Sequence, residues 1–172
     1  PSLLSSRYDC EFSLCRTPRM QWLELRIPPV VVLLAHGVGV WLLRGGESSF
    51  APVASVTGGV GACLVVTGGL IAGAAVLQFR SSNTTVDPRR PGSSTFMVTS
   101  GVYRWTRNPM YLAFALLLAG WAYLLGGGRG LVLVPVFILY LGRFQIRPEE
   151  RAMSELFGSR YQEYADRVRR WI

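Results

Sequence analysis

Charged residues are scarce in this chain: they make up 16% of its 172 residues, whereas hydrophobic residues make up 50%. An ordinary soluble domain does not have this balance, so the composition predicts a protein that lies in the lipid bilayer. Lysine is absent, and the 18 basic residues are all arginine, against 10 acidic residues. In a soluble protein the net charge of +8 would favour a nucleic-acid partner. Because the arginines lie between and after apolar runs, we instead expect them to meet anionic lipid headgroups, and we predict no nucleic-acid partner.

Histidine and cysteine are also few, with one histidine and three cysteines in the whole chain. No metal-ligand spacing connects them, so we predict no metal site. His36 lies alone in an apolar run. A single imidazole in such a run is more typically hydrogen-bonded to a neighbouring residue than catalytic, and we assign it no role in a site.

The N-terminus lacks the apolar core of a cleavable signal peptide, since residues 1–19 are polar and mixed in character. Met20 is a candidate start, and the residues before it are a candidate extension. We therefore divide the chain into residues 1–26, an extension with a short amphipathic approach to the bilayer, and residues 27–172, a single membrane domain.

Four apolar runs follow, at residues 27–43, 52–77, 109–125 and 131–146. Each is near the length of about 17–25 residues that crosses a bilayer as a helix. A short run is also compatible with a buried core helix, but the chain has too little polar sequence to bury four of them. We therefore predict an all-α, polytopic integral membrane protein with four transmembrane helices and a cytosolic C-terminal helical segment at 148–170.

Arginine placement orients the predicted spans, because positive residues near span ends stay on the cytoplasmic side. Sixteen arginines lie before the first run, between the second and third, and from Arg143 near the end of the fourth run onwards, whereas only Arg44 and Arg129 lie in the two other connections. This alternation predicts that both termini and residues 78–108 are cytoplasmic, in a protein of the cell inner membrane. The glycine-rich connection 126–130 is short enough to predict a tight helical hairpin.

The second apolar run is rich in small residues, among them Gly61, Gly68, Gly69 and Gly73. Small residues let helix backbones approach closely in lipid. This run is therefore predicted to be the packing centre of the bundle, with a ligand channel as the alternative interpretation.

A polar and aromatic cluster at residues 101–111 leads directly into the third run. Asn108 before Pro109 is typical of a helix start, with asparagine as N-cap and proline at the first helical position. The amides of that helix end and the guanidinium of Arg107 would suit an anion at the membrane edge. The alternative is an ordinary interfacial anchor, since Trp, Tyr and Arg are common at headgroup level.

Two adjacent carboxylates, Glu149 and Glu150, follow the fourth run on the same predicted side as the 101–111 cluster. Acidic residues suit a helix N-terminus, so capping of a new helix is a complete explanation for one of them. The shared side favours a site built from both clusters. The alternative is an amphipathic helix that lies on the cytoplasmic leaflet.

An ordered set of residues connects these clusters in the second half of the chain. It comprises Gly101-Val102-Tyr103, Arg107-Asn108-Pro109-Met110-Tyr111, Glu149-Glu150, Leu156-Phe157-Gly158, Tyr161, Tyr164 and Val168. This set resembles the isoprenylcysteine carboxyl methyltransferase family in its broad bacterial sense, which is similar in turn to phospholipid N-methyltransferases.

The resemblance implies an integral-membrane enzyme that binds S-adenosylmethionine between the cytosolic end of the third span and the C-terminal helices, and that releases S-adenosylhomocysteine. The methyl acceptor it implies is a lipid or small hydrophobic molecule with a carboxylate, thiol or amine. The prenylcysteine enzymes typically have histidine where this chain has Asn108, so the resemblance leaves the acceptor open.

The residues of the two clusters supply a match for each part of this cofactor. Arg107 and the amides after Asn108 suit its carboxylate, a glutamate suits its ammonium or ribose, and an aromatic ring suits its adenine or sulfonium. The predicted catalytic residues are Arg107, Tyr111 and Glu150. The predicted cofactor-binding residues are Gly101, Tyr103, Arg107, Asn108, Pro109, Tyr111, Glu149 and Glu150.

Two alternatives to a methyltransferase are kept. A more distant similarity to sterol C14 reductases would make the chain a membrane reductase with a nicotinamide cofactor. A non-catalytic membrane protein that serves as a packing or partner module would bind no cofactor at all. The sequence predicts neither the oligomeric state nor the atom that is methylated.

Overall fold

The computed structural model describes residues 27–44, 50–81, 97–126 and 128–172, and in these segments it contains helices and no strand. The predicted N-terminal extension, residues 1–26, lies outside them. The α-helices are α1 (Pro29–Leu42), α2 (Val56–Ser81), α3 (Pro109–Leu124), α4 (Leu133–Leu141), α5 (Arg147–Phe157) and α6 (Ser159–Arg167). Short 3₁₀ helices occupy Gly101–Arg104 and Gly128–Val132, and a π-helical turn occupies Gly142–Ile146. The predicted all-α class is confirmed over the described residues.

Two helical stretches are long and apolar enough to cross a membrane. They are Val56–Arg80, with 25 residues, and the continuous run Gly128–Phe157, with 30 residues. Helices α1 and α3 are apolar but have only 14 and 16 residues, so at 1.5 Å per residue each is shorter than a hydrocarbon core of about 30 Å. The length criterion therefore supports two of the four predicted spans.

Helix α3 is the centre of the bundle, and the other long helices surround it. Its residues Leu118 and Ala122 are buried in one core with Phe137 and Leu141 of α4. The outer faces of α1, α2 and α4 instead carry large exposed hydrophobic side chains, namely Leu34, Leu70 and Leu139 among others. Exposed apolar faces of this size are expected where helices contact lipid.

Helices α2 and α3 approach each other closely through small residues. A side chain added at Gly61 would lie 3.0 Å from the carbonyl oxygen of Gly120, and one added at Gly68 would lie 2.9 Å from that of Ala113. Gly61 and Gly68 therefore have a packing role, but the prediction that the second apolar run is the packing centre is wrong, because the buried core residues centre on α3. Gly69 and Gly73 face away from the bundle.

Contacts between the helices show that they alternate in direction. The indole of Trp121 in α3 donates to the carbonyl of Gly37 at 3.1 Å, and Gln145 donates to the carbonyl of Ile27 at 2.8 Å. The start of α1, the end of α2, the start of α3 and the π-helical turn consequently lie at one end of the bundle. We call it the site end.

His36 has the role that its sequence context favours. Its Nδ1 forms a hydrogen bond of 2.9 Å with the carbonyl oxygen of Val32 one turn earlier. Its ring also meets the ring of Phe137 edge-on, with centroids 5.2 Å apart.

The predicted fourth span and the C-terminal helix are one continuous helical run, and this corrects the expectation of a new helix at residue 148. Pro148 has no N–H to donate, and its ring crowds the carbonyl one turn earlier. The π-helical turn ahead of it changes the hydrogen-bond register, since the amide of Arg147 donates to the carbonyl of Gly142. No free helix N-terminus exists at this point, so the capping explanation for one of Glu149 and Glu150 is wrong.

Candidate functional site

The site end brings the 101–111 cluster and the acidic pair together. Helix α5 lies beside the start of α3, so Glu150 reaches Arg107 and Glu149 reaches Tyr111. The two predicted halves of a site are therefore adjacent in space. The chain's last residues join them as a third component.

Glu150 is shared by two arginines. Its Oε1 lies 3.5 Å from Nη1 of Arg107, while Arg170 donates to it through Nε at 3.0 Å and through Nη2 at 2.5 Å. The second contact is a two-pronged fork of the kind that arginine and carboxylate form most strongly. This hydrogen bond from Arg170 to Glu150 raises the pKa of the guanidinium, although burial opposes the rise. We call Arg107, Glu150 and Arg170 the arginine cluster.

Arg107 is the most enclosed cation of this cluster. Its side chain is 16% exposed, and its Nε is a buried donor without a hydrogen-bond partner. Its guanidinium also contacts the hydroxyl of Tyr161. Burial and the charge of Glu150 raise the pKa of the Tyr161 phenol, whereas Arg107 lowers it. A buried polar atom without a partner costs free energy. Arg107 therefore has unused hydrogen-bonding capacity at the site.

An open pocket of ≈590 Å³ adjoins the arginine cluster. Its volume lies within the range of about 300–1,000 Å³ that small-molecule sites occupy. Its walls come from the start of α3, from α5 and α6, and from the end of the chain. The lining residues are Arg107, Arg147, Glu150, Arg151, Ser154, Glu155, Tyr161, Gln162, Ala165, Asp166 and Arg170.

The C-terminal strap, residues 168–172, lies along the start of α3. Its carbonyl groups accept three hydrogen bonds from that segment: the Arg107 amide donates to Arg169 at 3.0 Å, and Thr106 Oγ1 and Asn108 Nδ2 donate to Arg170 at 3.2 and 3.0 Å. These hydrogen bonds hold the C-terminal strap against the start of α3, beside the contact between Arg170 and Glu150.

A second pair, Tyr111 and Glu149, connects the start of α3 to α5, with Tyr111 buried and Glu149 partly buried. The Tyr111 ring is buried, and its hydroxyl donates to Oε1 of Glu149. Nearby, the hydroxyl of Tyr164 donates to the carbonyl of Tyr103 at 2.8 Å. Burial raises the pKa of Tyr164 to about 12, so its hydroxyl stays protonated as a donor. We call Tyr111 and Glu149 the buried pair.

Gly101 and Tyr103 shape the approach to α3. Gly101 has a φ of +57°, and a side chain added there would overlap the amide of Gln78. The side-chain oxygen of Gln78 accepts a hydrogen bond of 3.2 Å from the backbone N–H of Val102. Tyr103 is buried with its ring edge-on to Phe79, and burial raises the pKa of its phenol. Both residues are thus placed where they hold the 3₁₀ helix against the end of α2.

The predicted site residues are divided between the pocket and its supports. Of the eight, only Arg107 and Glu150 line the pocket. Pro109 begins α3 as predicted, but the side chain of Asn108 makes no capping hydrogen bond because it is turned towards the strap. Sequence reasoning missed Arg170 and Thr106. The arginines of the tail predict only the orientation of the spans, and no local pattern indicates that the tail contacts the start of α3.

Within the described residues, no group of three or more His, Cys, Asp and Glu side chains is placed to hold a metal ion. The residues that line the pocket include charged side chains and the aromatic Tyr161.

Comparison with known proteins gives the chain a family context. The family model described as phospholipid methyltransferase matches residues 56–160. An uncharacterised Haemophilus influenzae protein is 40% identical over 63 residues, which are 37% of this chain and the whole of that protein. The protein-S-isoprenylcysteine O-methyltransferase of Saccharomyces cerevisiae is 38% identical over 79 residues, or 44% of this chain and 32% of that enzyme. The Xenopus laevis enzyme of the same name is 30% identical over 116 residues, or 63% of this chain and 38% of that enzyme.

The chain thus spans about a third of the length of these isoprenylcysteine enzymes. No solved structure matches it. The matches to these enzymes confirm the resemblance drawn from the ordered residues of the second half.

Proposed function

Because the chain belongs to the phospholipid methyltransferase family, we propose that it transfers a methyl group from S-adenosylmethionine to a lipid or small hydrophobic acceptor. The observation that carries the proposal furthest is the arginine cluster beside a pocket, at one end of an apolar bundle. In such an arrangement a charged methyl donor and an apolar methyl acceptor can meet at the same site.

The residues present fit this cofactor. S-adenosylmethionine has a carboxylate, and Arg107 has a buried Nε donor that lacks a partner. A guanidinium matches a carboxylate with parallel hydrogen bonds. Tyr161 lines the same pocket, and its hydroxyl contacts the Arg107 guanidinium.

Bound there, the cofactor would supply a methyl carbon already activated by a positive sulfur, so the chain needs no covalent nucleophile. Its task is to align donor and acceptor and to exclude water, an effect that can contribute about 7–11 kcal/mol. For a thiol or amine acceptor a proton must also leave. The Glu149 carboxylate, which already accepts the hydroxyl of Tyr111, is the proposed proton acceptor.

The proposal includes four membrane crossings, with both termini on the cytoplasmic side. The alternating direction of α1, α2, α3 and the Gly128–Phe157 run supports it, as does the arginine distribution. The short helices α1 and α3 would then lie where the bilayer thins locally or where their flanking residues complete the span.

Binding in detergent tests the chemistry. The purified protein should bind S-adenosylhomocysteine by isothermal titration, and it should move labelled methyl groups from S-adenosylmethionine into the organic phase of a membrane lipid extract. A protein that binds neither compound would contradict the proposal and favour a packing or partner module.

Cysteine labelling tests the topology. In a background that lacks Cys10, Cys15 and Cys63, a cysteine at Ser100 should react only from the cytoplasmic side and a cysteine at Arg129 only from the opposite side. Reaction of both from one side would remove a crossing from the proposed arrangement.

A further inference from the structure

The hydrogen bonds that Glu150 already accepts limit how it can contact the proposed cofactor. A carboxylate beside a pocket suggests a partner for the ligand's ammonium, yet both Glu150 oxygens already accept hydrogen bonds from Arg170. To turn towards an ammonium, Glu150 would have to leave a half-buried guanidinium without its partner. Removing one member of an enclosed ion pair is costly, because the other charge stays desolvated.

The net charge of the arginine cluster also argues against an ammonium group as the ligand of Glu150. One carboxylate and two guanidinium groups leave the three side chains with a net positive charge, in a setting where Arg107 and Glu150 are only 16% and 17% exposed. A positive ligand group is repelled there and a negative one is attracted. The cluster is therefore suited to an anion.

Both arginines keep donors for such an anion. The fork to Glu150 uses Nε and Nη2 of Arg170, which leaves the rest of its five N–H groups to other partners. Arg107 has its buried Nε without a partner. Two guanidinium groups that share one carboxylate are held close together, and both line the pocket.

The strap fixes the position of Arg170. The carbonyl of Arg170 accepts hydrogen bonds from Thr106 and Asn108, and Thr106 is 3% exposed. The backbone beneath the guanidinium is thus tied to the segment that carries Arg107. The family match ends at residue 160, so Arg170 lies beyond it.

We infer that Arg170 and Arg107 together bind the carboxylate of the methyl donor, and that Glu150 is a positioning residue that holds the two guanidinium groups and does not bind the donor's ammonium. This inference rests on the proposed function, which it deepens by assigning a binding role to Arg170 and a different one to Glu150.

Two ligands separate these roles by titration in detergent. The first is S-adenosylhomocysteine, and the second is its decarboxylated analogue, which keeps the amine. Arg170→Gln and Arg107→Gln should each weaken binding of S-adenosylhomocysteine at least tenfold, which is about 1.4 kcal/mol. Neither change should weaken binding of the analogue, because the analogue has no carboxylate to lose a partner and its amine is repelled less. Retained binding of the analogue also shows that each variant is folded.

Glu150→Gln distinguishes a positioning residue from an ammonium ligand. In the positioning role it should weaken S-adenosylhomocysteine about as much as Arg170→Gln does, with the analogue again unaffected. Equal losses for both ligands would overturn the assignment, because they would show that Glu150 binds the amine that the two share.

The matched control is Arg167→Gln. Arg167 is an exposed arginine three residues before Arg170, and its Nε donates to the carbonyl of Glu163 on its own helix. It should bind both ligands like the wild type. Retention of full S-adenosylhomocysteine affinity by Arg170→Gln would overturn the inference alone, whereas a wild-type protein that binds neither ligand would overturn the proposed function and the inference with it.

Discussion

The buried pair and the arginine cluster differ although their glutamates are neighbours in sequence. Successive residues of a helix point about 100° apart, so α5 directs Glu149 to Tyr111 inside the bundle and Glu150 to two arginines beside the pocket. One carboxylate has a neutral donor in an apolar setting. The other has two cations and access to solvent.

This difference indicates what each glutamate contributes. In the buried pair, loss of the donor leaves a polar group enclosed without a partner, and the cost falls on stability. In the arginine cluster, the half-exposed position of Arg170, 38% in contact with solvent, limits what its ion pair adds to stability. Its contribution should appear in ligand binding instead. The predictions below test that separation.

The largest expected effect is on stability, from Tyr111→Phe. This change removes the hydroxyl that donates to Glu149 while it keeps the ring that fills the core. An enclosed acceptor left without its donor costs about 1–3 kcal/mol, and for a chain of this size each kcal/mol lowers Tm by about 2–4 °C. Thermal unfolding in detergent measures the shift. The affinity for S-adenosylhomocysteine should change less than the stability does.

Tyr123→Phe is the matched control, since Tyr123 lies near the opposite end of α3. It should unfold close to the wild-type temperature. An equal Tm loss in both variants would show that the Tyr111 hydroxyl has no special role, and the contrast between the two glutamates would disappear.

Arg107→Lys should have the next largest effect, and it should fall on binding. Lysine keeps the charge but loses the planar fork that matches a carboxylate, so the affinity for S-adenosylhomocysteine should drop about tenfold, or roughly 1.4 kcal/mol. The unfolding temperature should stay near that of the wild type.

The interfacial-anchor interpretation of Arg107 predicts the opposite result. A lysine can also extend its amine to the headgroups, so full binding and full methyl transfer by Arg107→Lys would favour the anchor. Arg167→Lys controls for the same exchange outside the pocket, and it should leave binding unchanged.

Salt should produce a smaller effect that again separates the two regions. The screening length falls from about 10 Å at 0.1 M to about 3 Å at 1 M salt, and the arginine cluster opens to a solvent-accessible pocket. We expect S-adenosylhomocysteine affinity to fall a few-fold over this range, while Tm responds little because the buried pair is enclosed. Affinity that is independent of salt would argue that the cluster does not bind the ligand's charge.

Local sequence signals predict where helices form, but they do not predict that two of these helices join into one continuous run. The apolar run at 109–125 became α3 at Pro109–Leu124, because Asn-Pro marks a helix start and hydrophobic residues mark its extent. The same rules wrongly predict that a new helix begins at Pro148, because a π-helical turn allows the helix to continue past this proline. That turn depends on hydrogen-bond register, which no residue pattern at this position reveals.

The candidate site was predictable where it follows from the order of elements. The third and fourth apolar runs are joined by a short connection, so their site-end residues are expected to be neighbours, and Arg107 and Glu150 do meet. Arg170 was not predictable. Its position depends on the extended chain after α6 and on hydrogen bonds from Thr106 and Asn108 to its carbonyl, which are contacts between residues more than sixty positions apart.

The smallest expected effect is that of Glu149→Gln, and it sharpens the comparison most directly because Glu150→Gln is its neighbour. Glutamine at 149 keeps a carbonyl oxygen that can accept the Tyr111 hydroxyl, so the buried hydrogen bond survives without a charge to enclose. S-adenosylhomocysteine affinity should change by less than about threefold, which is under roughly 0.7 kcal/mol, whereas Glu150→Gln should lose tenfold or more. If Glu149 accepts the acceptor's proton, the same Glu149→Gln variant should still lose turnover with a thiol or amine acceptor, because an amide cannot take up that proton. A tenfold loss of binding in Glu149→Gln would instead place both carboxylates on the ligand, and the two regions would have to be treated as one site.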